Sequence, residues 1–273
     1  MALIPPDYVD AVVAIGKMKS TQFEPISTGF FFGKFISKVN EQQSNYRIFL
    51  VTNKHVINES TANYGFRLDA KNENPANWFY LPTKTNGSHS WFLHPDSQID
   101  VAITPVPGVV SLNESHNLKF FRSESNTLSS NGMEEVGLTE GDEIFILGFP
   151  QKIVGDARNA VLVRQGCIAR VRDLYMRESI DFYVDAPIFK GNSGGPVINK
   201  PQIVGIGDTP VVNNAYLIGI LTKYISVTNR TRNELDVEQP NTYETFLDLG
   251  KVLPVEHIER AIQLFLESEN FAD

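Results

Sequence analysis

GNSGGP, residues Gly191 to Pro196, sets one hydroxyl among glycines in a stretch too glycine-rich for the interior of a helix or strand. A tight turn there brings successive backbone N–H groups round to one point, where they stabilise a negatively charged oxygen. Ser193 is the nucleophile such a turn presents. The N–H groups of Gly191 and Ser193 form the candidate oxyanion hole, and Asn192 shapes the turn between them. A serine alone is a weak nucleophile, so the motif gains meaning only with a base and an acid to orient that base.

GNSGG also satisfies G-x-S-x-G, the nucleophile elbow of α/β-hydrolases, and the choice between the two readings decides the fold. The elbow needs a strand before the serine, a helix after it, and the chain order serine, acid, histidine. Here Gly194-Gly195-Pro196 and the apolar run Val197-Ile198 follow, which is strand rather than helix material. The one downstream histidine, His257, falls on the outer part of an amphipathic helix. A base is better placed upstream. His55 sits in FLVTNKHVI (Phe49–Ile57), where an apolar strand ends in a polar turn, so its ring can be held rigidly at a cleft. The acid that orients it should be buried beside the ring. Asp100, in SQIDVAITPV (Ser97–Val106), stands directly before an apolar run, whereas Asp96 precedes none and reads as a loop acid.

The chain has 273 residues, 42% of them hydrophobic, and a formal net charge of −8. That sign argues against binding a phosphate backbone. Arg164, Arg170, Arg172 and Arg177 alternate with apolar residues and read as a solvated strand face. No apolar run approaches the ~18 residues that span a bilayer. The start, MALIPPDYVDAVVAIG, lacks a basic n-region, and the single Cys167 reads as a small core residue in a reducing compartment, so a cytoplasmic location is expected. His89, His94 and Asp96 match no recognised ligand spacing, so neither a metal nor a cofactor is expected.

Short β-rich segments separated by Gly, Pro, Asn and Asp run through the first 225 residues or so. They predict strands over Val9–Ile15, Gly29–Phe35, Arg47–Thr52, Phe66–Leu68, Trp78–Tyr80 and Val101–Val106. A second set covers Glu143–Gly148, Val161–Val171, Phe182–Asp185, Pro196–Asn199, Ile203–Ile206 and Tyr216–Thr222. The pattern divides the chain into a first β-barrel subdomain at 1–121, a serine-rich linker at 122–140 and a second barrel at 141–228. A polar loop and helix follow at 229–273. Val255, Ile258, Ala261, Ile262, Phe265 and Leu266 predict an amphipathic helix after Pro254 that packs over the second barrel.

TGFFFG (Thr28–Gly33), TNKHV (Thr52–Val56), DVAI (Asp100–Ile103), GDEIFILGFP (Gly141–Pro150) and DAPIFKGNSGGPVIN (Asp185–Asn199), in this order, resemble the trypsin/chymotrypsin-like serine peptidases. The disulfide-free bacterial branch with its Deg (HtrA)-type protease domains is the most similar, here without a following PDZ module. The resemblance covers about Val9 to Tyr224. It implies an all-β fold of two six-stranded antiparallel barrels with a C-terminal helix, and a serine endopeptidase acting on a polypeptide through His55, Asp100 and Ser193. It further implies a substrate pocket of Pro187, Ile188 and Phe189 facing Thr222, Lys223 and Tyr224. Trypsins carry an aspartate where this chain has Pro187, so a small or medium apolar residue is expected before the scissile bond. A protein partner or activator acting on the C-terminal helix is a further expectation. The alternatives are a catalytically silent binding or scaffold protein with this fold, and an esterase using the same three residues.

Overall fold

The computed structural model describes residues 3–41, 43–57, 62–71, 75–81, 84–85, 88–202, 204–205, 211–231 and 241–270. Apolar runs broken by turn residues form strands throughout. The first half contributes β1 (Val12–Lys19), β2 (Gln22–Lys38), β3 (Ser44–Thr52), β4 (Tyr64–Leu68) and β5 (Asn77–Leu81). A two-stranded piece, β6 (Lys84–Thr85) with β7 (Ser88–His89), precedes β8 (Phe92–Leu93), β9 (Ala102–Pro105) and β10 (Phe121–Arg122). All of these but β6 and β7 form an eight-stranded sheet in the order β5-β4-β1-β2-β3-β9-β8, with β10 parallel to β2. Among the described residues β5 and β8 do not pair to close it.

The second half does close. It contains β11 (Glu143–Gly148), β12 (Leu162–Arg170), β13 (Phe182–Asp185), β14 (Pro196–Asn199), β15 (Leu217–Thr231) and β16 (Asn241–Pro254). They run round a barrel in the order β11-β12-β13-β16-β15-β14. The closed six-stranded barrel and the sheet of the first half together fit the double-barrel class expected from the sequence. Its sixth barrel strand is β16, which lies inside the stretch read from sequence as polar loop and helix. The barrel thus continues past residue 228. β16 fills the place that Ile203–Ile206, partly outside the described residues, was expected to take. Beyond the barrel, Ser226–Thr231 and Asn241–Phe246 continue to pair as a two-stranded arm. Most of the polar stretch at 229–239 lies outside the described residues.

Three apolar cores hold the fold, and the two-residue period of the strands sorts side chains among them. Val13, Ile15, Phe31 and Leu50 fill the first half, while Ile144, Ile146, Val184 and Val197 fill the second. Between the halves lie Val12, Phe30, Phe32, Phe49, Phe145, Leu147 and Leu217. The three consecutive phenylalanines of TGFFFG thus serve both faces of β2. Burying each such side chain contributes about 1.5–3 kcal/mol, so the interface between the halves is as firmly packed as either interior.

Five helices complete the described fold. They are α1 (Pro6–Asp10), α2 (Val109–Ser115), α3 (Ser130–Glu135), α4 (Arg172–Tyr175) and α5 (Val255–Asn270). Val255, Ile258, Ala261 and Ile262 of α5 enter the central core, and Phe265 packs edge-on against Phe49 and Phe92. The helix therefore spans both halves rather than covering the second alone. Arg47 fixes its far end by a bidentate pair with Glu269 at 2.6 and 2.9 Å. Among the described residues no helix is long and apolar enough to cross a membrane.

The connection between the halves is itself anchored. Leu128 N–H donates to Leu217 C=O, Ser129 caps α3 through Gly132 N–H, and Ser130 N–H donates to the Glu256 carboxylate. At its end, Glu140 accepts from the N–H groups of Val171 and Arg172 at the start of α4, at 2.9 and 3.1 Å. Burial alone would raise its pKa. Those donors, with the Thr139 hydroxyl, outweigh burial and hold the carboxyl down to about 2. A depressed pKa gives stability that is full above the unfolded value near 4.5 and fades as pH falls toward 2. Glu140→Gln should lower unfolding free energy at pH 7 by about 1–2 kcal/mol, with solvent screening limiting the effect. Urea titrations at pH 7 and at pH 3 check this: the wild-type advantage should shrink at the lower pH.

Candidate active site

His55 lies in a 3-10 turn, Lys54–Ile57, that begins where β3 ends. Its ring is bonded to Asp100: Nδ1 lies 2.6 Å from Oδ2, and the His55 backbone N–H donates to Oδ1 at 3.1 Å. A carboxylate oxygen accepts, so the ring proton sits on Nδ1 and the Nε2 lone pair remains to take another. Asp100 is held in turn by the buried Asn53, whose side-chain amide donates to the Asp100 carbonyl at 2.8 Å. The apolar run behind Asp100 is fully buried at Val101, Ala102 and Ile103, which fixes the acid at the mouth of β9.

The competing residues take other roles. Asp96 accepts from Gln98 N–H and its own N–H donates to His94 Nδ1, while Lys54 binds both carbonyls of that turn. His257 bonds to the Ile180 carbonyl, away from the serine. Cys167 is half-buried and free. The His89 side chain lies outside the described residues, and among the rest no group of His, Cys, Asp or Glu is arranged to hold a metal ion.

GNSGGP forms an irregular turn ahead of β14, and its geometry demands glycine. Gly191 has φ +101°, and a side chain there would strike the Phe149 carbonyl. Gly194 has φ +81° and lies against the Thr28 carbonyl and the Thr52 hydroxyl. Two alternate peptide planes of the turn are pinned by backbone bonds. The Lys190 carbonyl accepts from Gln151 N–H at 2.6 Å, and the Asn192 carbonyl from Gly195 N–H at 2.9 Å. Across a trans peptide the N–H points opposite to the carbonyl, so these bonds fix the N–H groups of Gly191 and Ser193. Neither of the two has an acceptor among the described residues. Between them, Asn192 N–H donates to Phe189 C=O, and the Gly191 carbonyl accepts from the Thr28 hydroxyl at 2.7 Å. The Ser193 carbonyl is held by Thr28 N–H and by the Ser27 hydroxyl at 2.6 Å.

His55 and Ser193 line the same two clefts. One, about 440 Å³, is bounded by Asp100, Thr222, Lys223, Tyr224 and Ser226. The other, about 370 Å³, is bounded by Ile26, Ser27, Val56, Lys152, Lys190 and Gly191, with Tyr224 again at its edge. No hydrogen bond joins Ser193 Oγ to His55 among the described residues.

The strand side of the expected pocket, Thr222 to Tyr224, is thus at the cleft, while Pro187, Ile188 and Phe189 do not bound either of these two clefts. Pro187 is exposed, Ile188 is buried in the second-half core, and Phe189 lies half-buried under the Arg164 guanidinium. Ile188 is drawn inward because Gly250 of β16 leaves room for its Cδ1. Sequence reading also passed over Ser27, Thr28, Asn53 and Gln151, whose contributions depend on partners distant along the chain.

Solved structures of similar shape include the HtrA-type protease AlgW with a decapeptide, at 16% identity and TM-score 0.45. The match covers 94% of this chain, which spans only 65% of that one. Two inactive-form structures of Rv3671c, the first from M. tuberculosis H37Rv and a serine-to-alanine mutant, match at 14% and 15% identity with TM-scores of 0.42 and 0.44. They cover 96% and 94% of this chain and 90% and 89% of theirs. No curated protein matches the sequence. Residues 27–206, from the Ser27 that braces the nucleophile turn through β14 beyond it, match the trypsin-like peptidase domain, and the chain belongs to that family.

Proposed function

We propose that the protein is a serine endopeptidase. The observation that carries this reading is the 2.6 Å bond from His55 to Asp100 in a cleft shared with Ser193, whose turn keeps two N–H groups unclaimed. In this mechanism His55 Nε2 removes the Ser193 hydroxyl proton as the oxygen attacks a substrate carbonyl. Asp100 holds the ring and stabilises the imidazolium, and the N–H groups of Gly191 and Ser193 take up the oxyanion. His55 then protonates the leaving amine. A water deprotonated by His55 releases the acyl group and restores the serine. Hydrogen bonds between a nucleophile and its base are often long in a resting site and tighten only once substrate is bound.

The substrate reading follows from the cleft walls. β15 is bonded to the nucleophile turn through Leu221, which exchanges bonds with Gly194 and Gly195, and Thr222–Tyr224 continue it along the cleft. The pairing of β14 with β15 ends at Ile220, and a polypeptide in extended form pairs with a strand that runs on past its neighbour. Tyr224 lines both clefts beside Ser193, and no acid stands between β13 and Ser193 to receive a cationic side chain.

Labelling with a fluorophosphonate should modify Ser193 in the wild type and nothing in Ser193→Ala. Absence of labelling under all conditions would favour a silent binding protein. Asp100→Asn should lower kcat on the order of 10⁴-fold, and parallel amide and ester substrates separate peptidase from esterase. A peptide library should show small or medium apolar residues before the scissile bond, with Tyr224→Ala extending acceptance to larger ones. A wild-type preference for Arg or Lys would overturn this pocket reading.

A further inference from the structure

We infer that Thr28, a residue of the first half with no place among the three reacting side chains, is the positioning residue that sets the oxyanion turn of the second half. The inference rests on the peptidase reading above. Thr28 is completely buried. Its hydroxyl donates to the Gly191 carbonyl at 2.7 Å and accepts from Phe149 N–H at 3.0 Å. Its backbone N–H donates to the Ser193 carbonyl, and its own carbonyl accepts from the Thr52 hydroxyl at 2.8 Å. One residue of β2 therefore ties both carbonyls that flank Asn192 to the scaffold carrying His55.

The hydroxyl has a role that no other side chain near it fills. Glycine at position 191 makes rotation of the adjoining peptides easy, because positive φ carries no steric penalty there. Gln151 N–H and Gly195 N–H pin the planes on either side through backbone alone. The plane between them, Gly191–Asn192, is held on its carbonyl side by Thr28 Oγ1. Loss of that bond would strand a buried carbonyl and a buried N–H together, which favours any rotation that finds them new partners. Such a rotation would also turn the Gly191 and Ser193 N–H groups out of line. Thr28 touches no reacting atom, so its effect should fall on transition-state stabilisation and leave ground-state binding nearly intact.

The test compares Thr28→Val, of nearly the same shape, with Thr28→Ser, which keeps the hydroxyl. Thr28→Ala substitutes for the valine variant should that one not fold. In Thr28→Val, kcat should fall about 10- to 100-fold, below the loss for removing an oxyanion donor outright, with KM changed less than about threefold. Affinity for a peptide boronate should weaken by a similar factor. Thr28→Ser should stay near wild type. Amide exchange of the peptide spanning 189–195 should quicken in Thr28→Val while exchange in the two barrel cores stays unchanged. That measurement reads the turn whether or not the wild type cleaves peptides. An inert wild type would sink the peptidase reading alone. Unchanged exchange at 189–195 in the valine variant, or equal losses in kcat for the serine and valine variants, would overturn the role given to Thr28.

Discussion

A nucleophile turn without helix or strand bonds of its own takes its shape from whatever grips its peptide groups. Here every carbonyl from Phe189 to Ser193 that bears on the candidate oxyanion hole is engaged, while the N–H groups of Gly191 and Ser193 are not. Preorganised donors help because they need no rearrangement when charge develops. Glycine allows the turn and also makes it easy to lose, so its own bond from Gly195 N–H to the Asn192 carbonyl needs support from outside. That support comes from Gln151 and from two hydroxyl-bearing residues of the opposite half, Ser27 and Thr28.

That dependence explains why the interface between the halves is packed as a core. Phe30, Phe32, Phe49, Phe145, Leu147 and Leu217 are buried there together with the inner face of α5. A soft interface would let His55 and Asp100, set at the ends of β3 and β9, drift against Ser193 ahead of β14. Strands with both faces buried need consecutive apolar residues instead of alternation. TGFFFG and EIFILG are such runs, and β2 and β11 bring them together across the boundary between the halves.

His55, Asp100 and Ser193 were legible because each stands where an apolar run meets a polar turn, a local signal. β16 was not. Its stretch NTYETFLDLG carries polar residues at many positions, and the buried residues Gly250, Val252 and Leu253 lie near the end of the strand. Its place is set by pairing with β13 and β15, with register shifts in β15 that no period reveals. Thr28 stands inside the TGFFFG motif, but its partner Gly191 lies 163 positions away, beyond the reach of any local signal. The course of the chain just before the turn was hidden for a similar reason. Ile188 turns inward only because Gly250, on a strand not anticipated, leaves it space.

Arg67 extends the same logic to the loop behind the turn. It projects from β4 and is 5% exposed, a setting in which an unpaired charge is strongly disfavoured. Among the described residues it has no carboxylate partner. Its guanidinium instead donates to the carbonyls of Val154, Gly155, Asp156 and Arg158, with the shortest bond 2.6 Å. Asn159 closes the loop onto the same strand through the Asp69 carboxylate and the Arg67 carbonyl. Four aligned carbonyl dipoles satisfy the cation, and in return the cation fixes the loop that begins at Gln151. Gln151 holds its N–H toward Lys190 from a left-handed conformation, φ +52°, that a free loop would leave. The first half thus supports the candidate oxyanion turn twice, directly through Thr28 and through the loop that Arg67 clamps. A chain of contacts this long needs both halves folded and docked before the serine acquires its surroundings, which ties the proposed chemistry to completion of the whole fold.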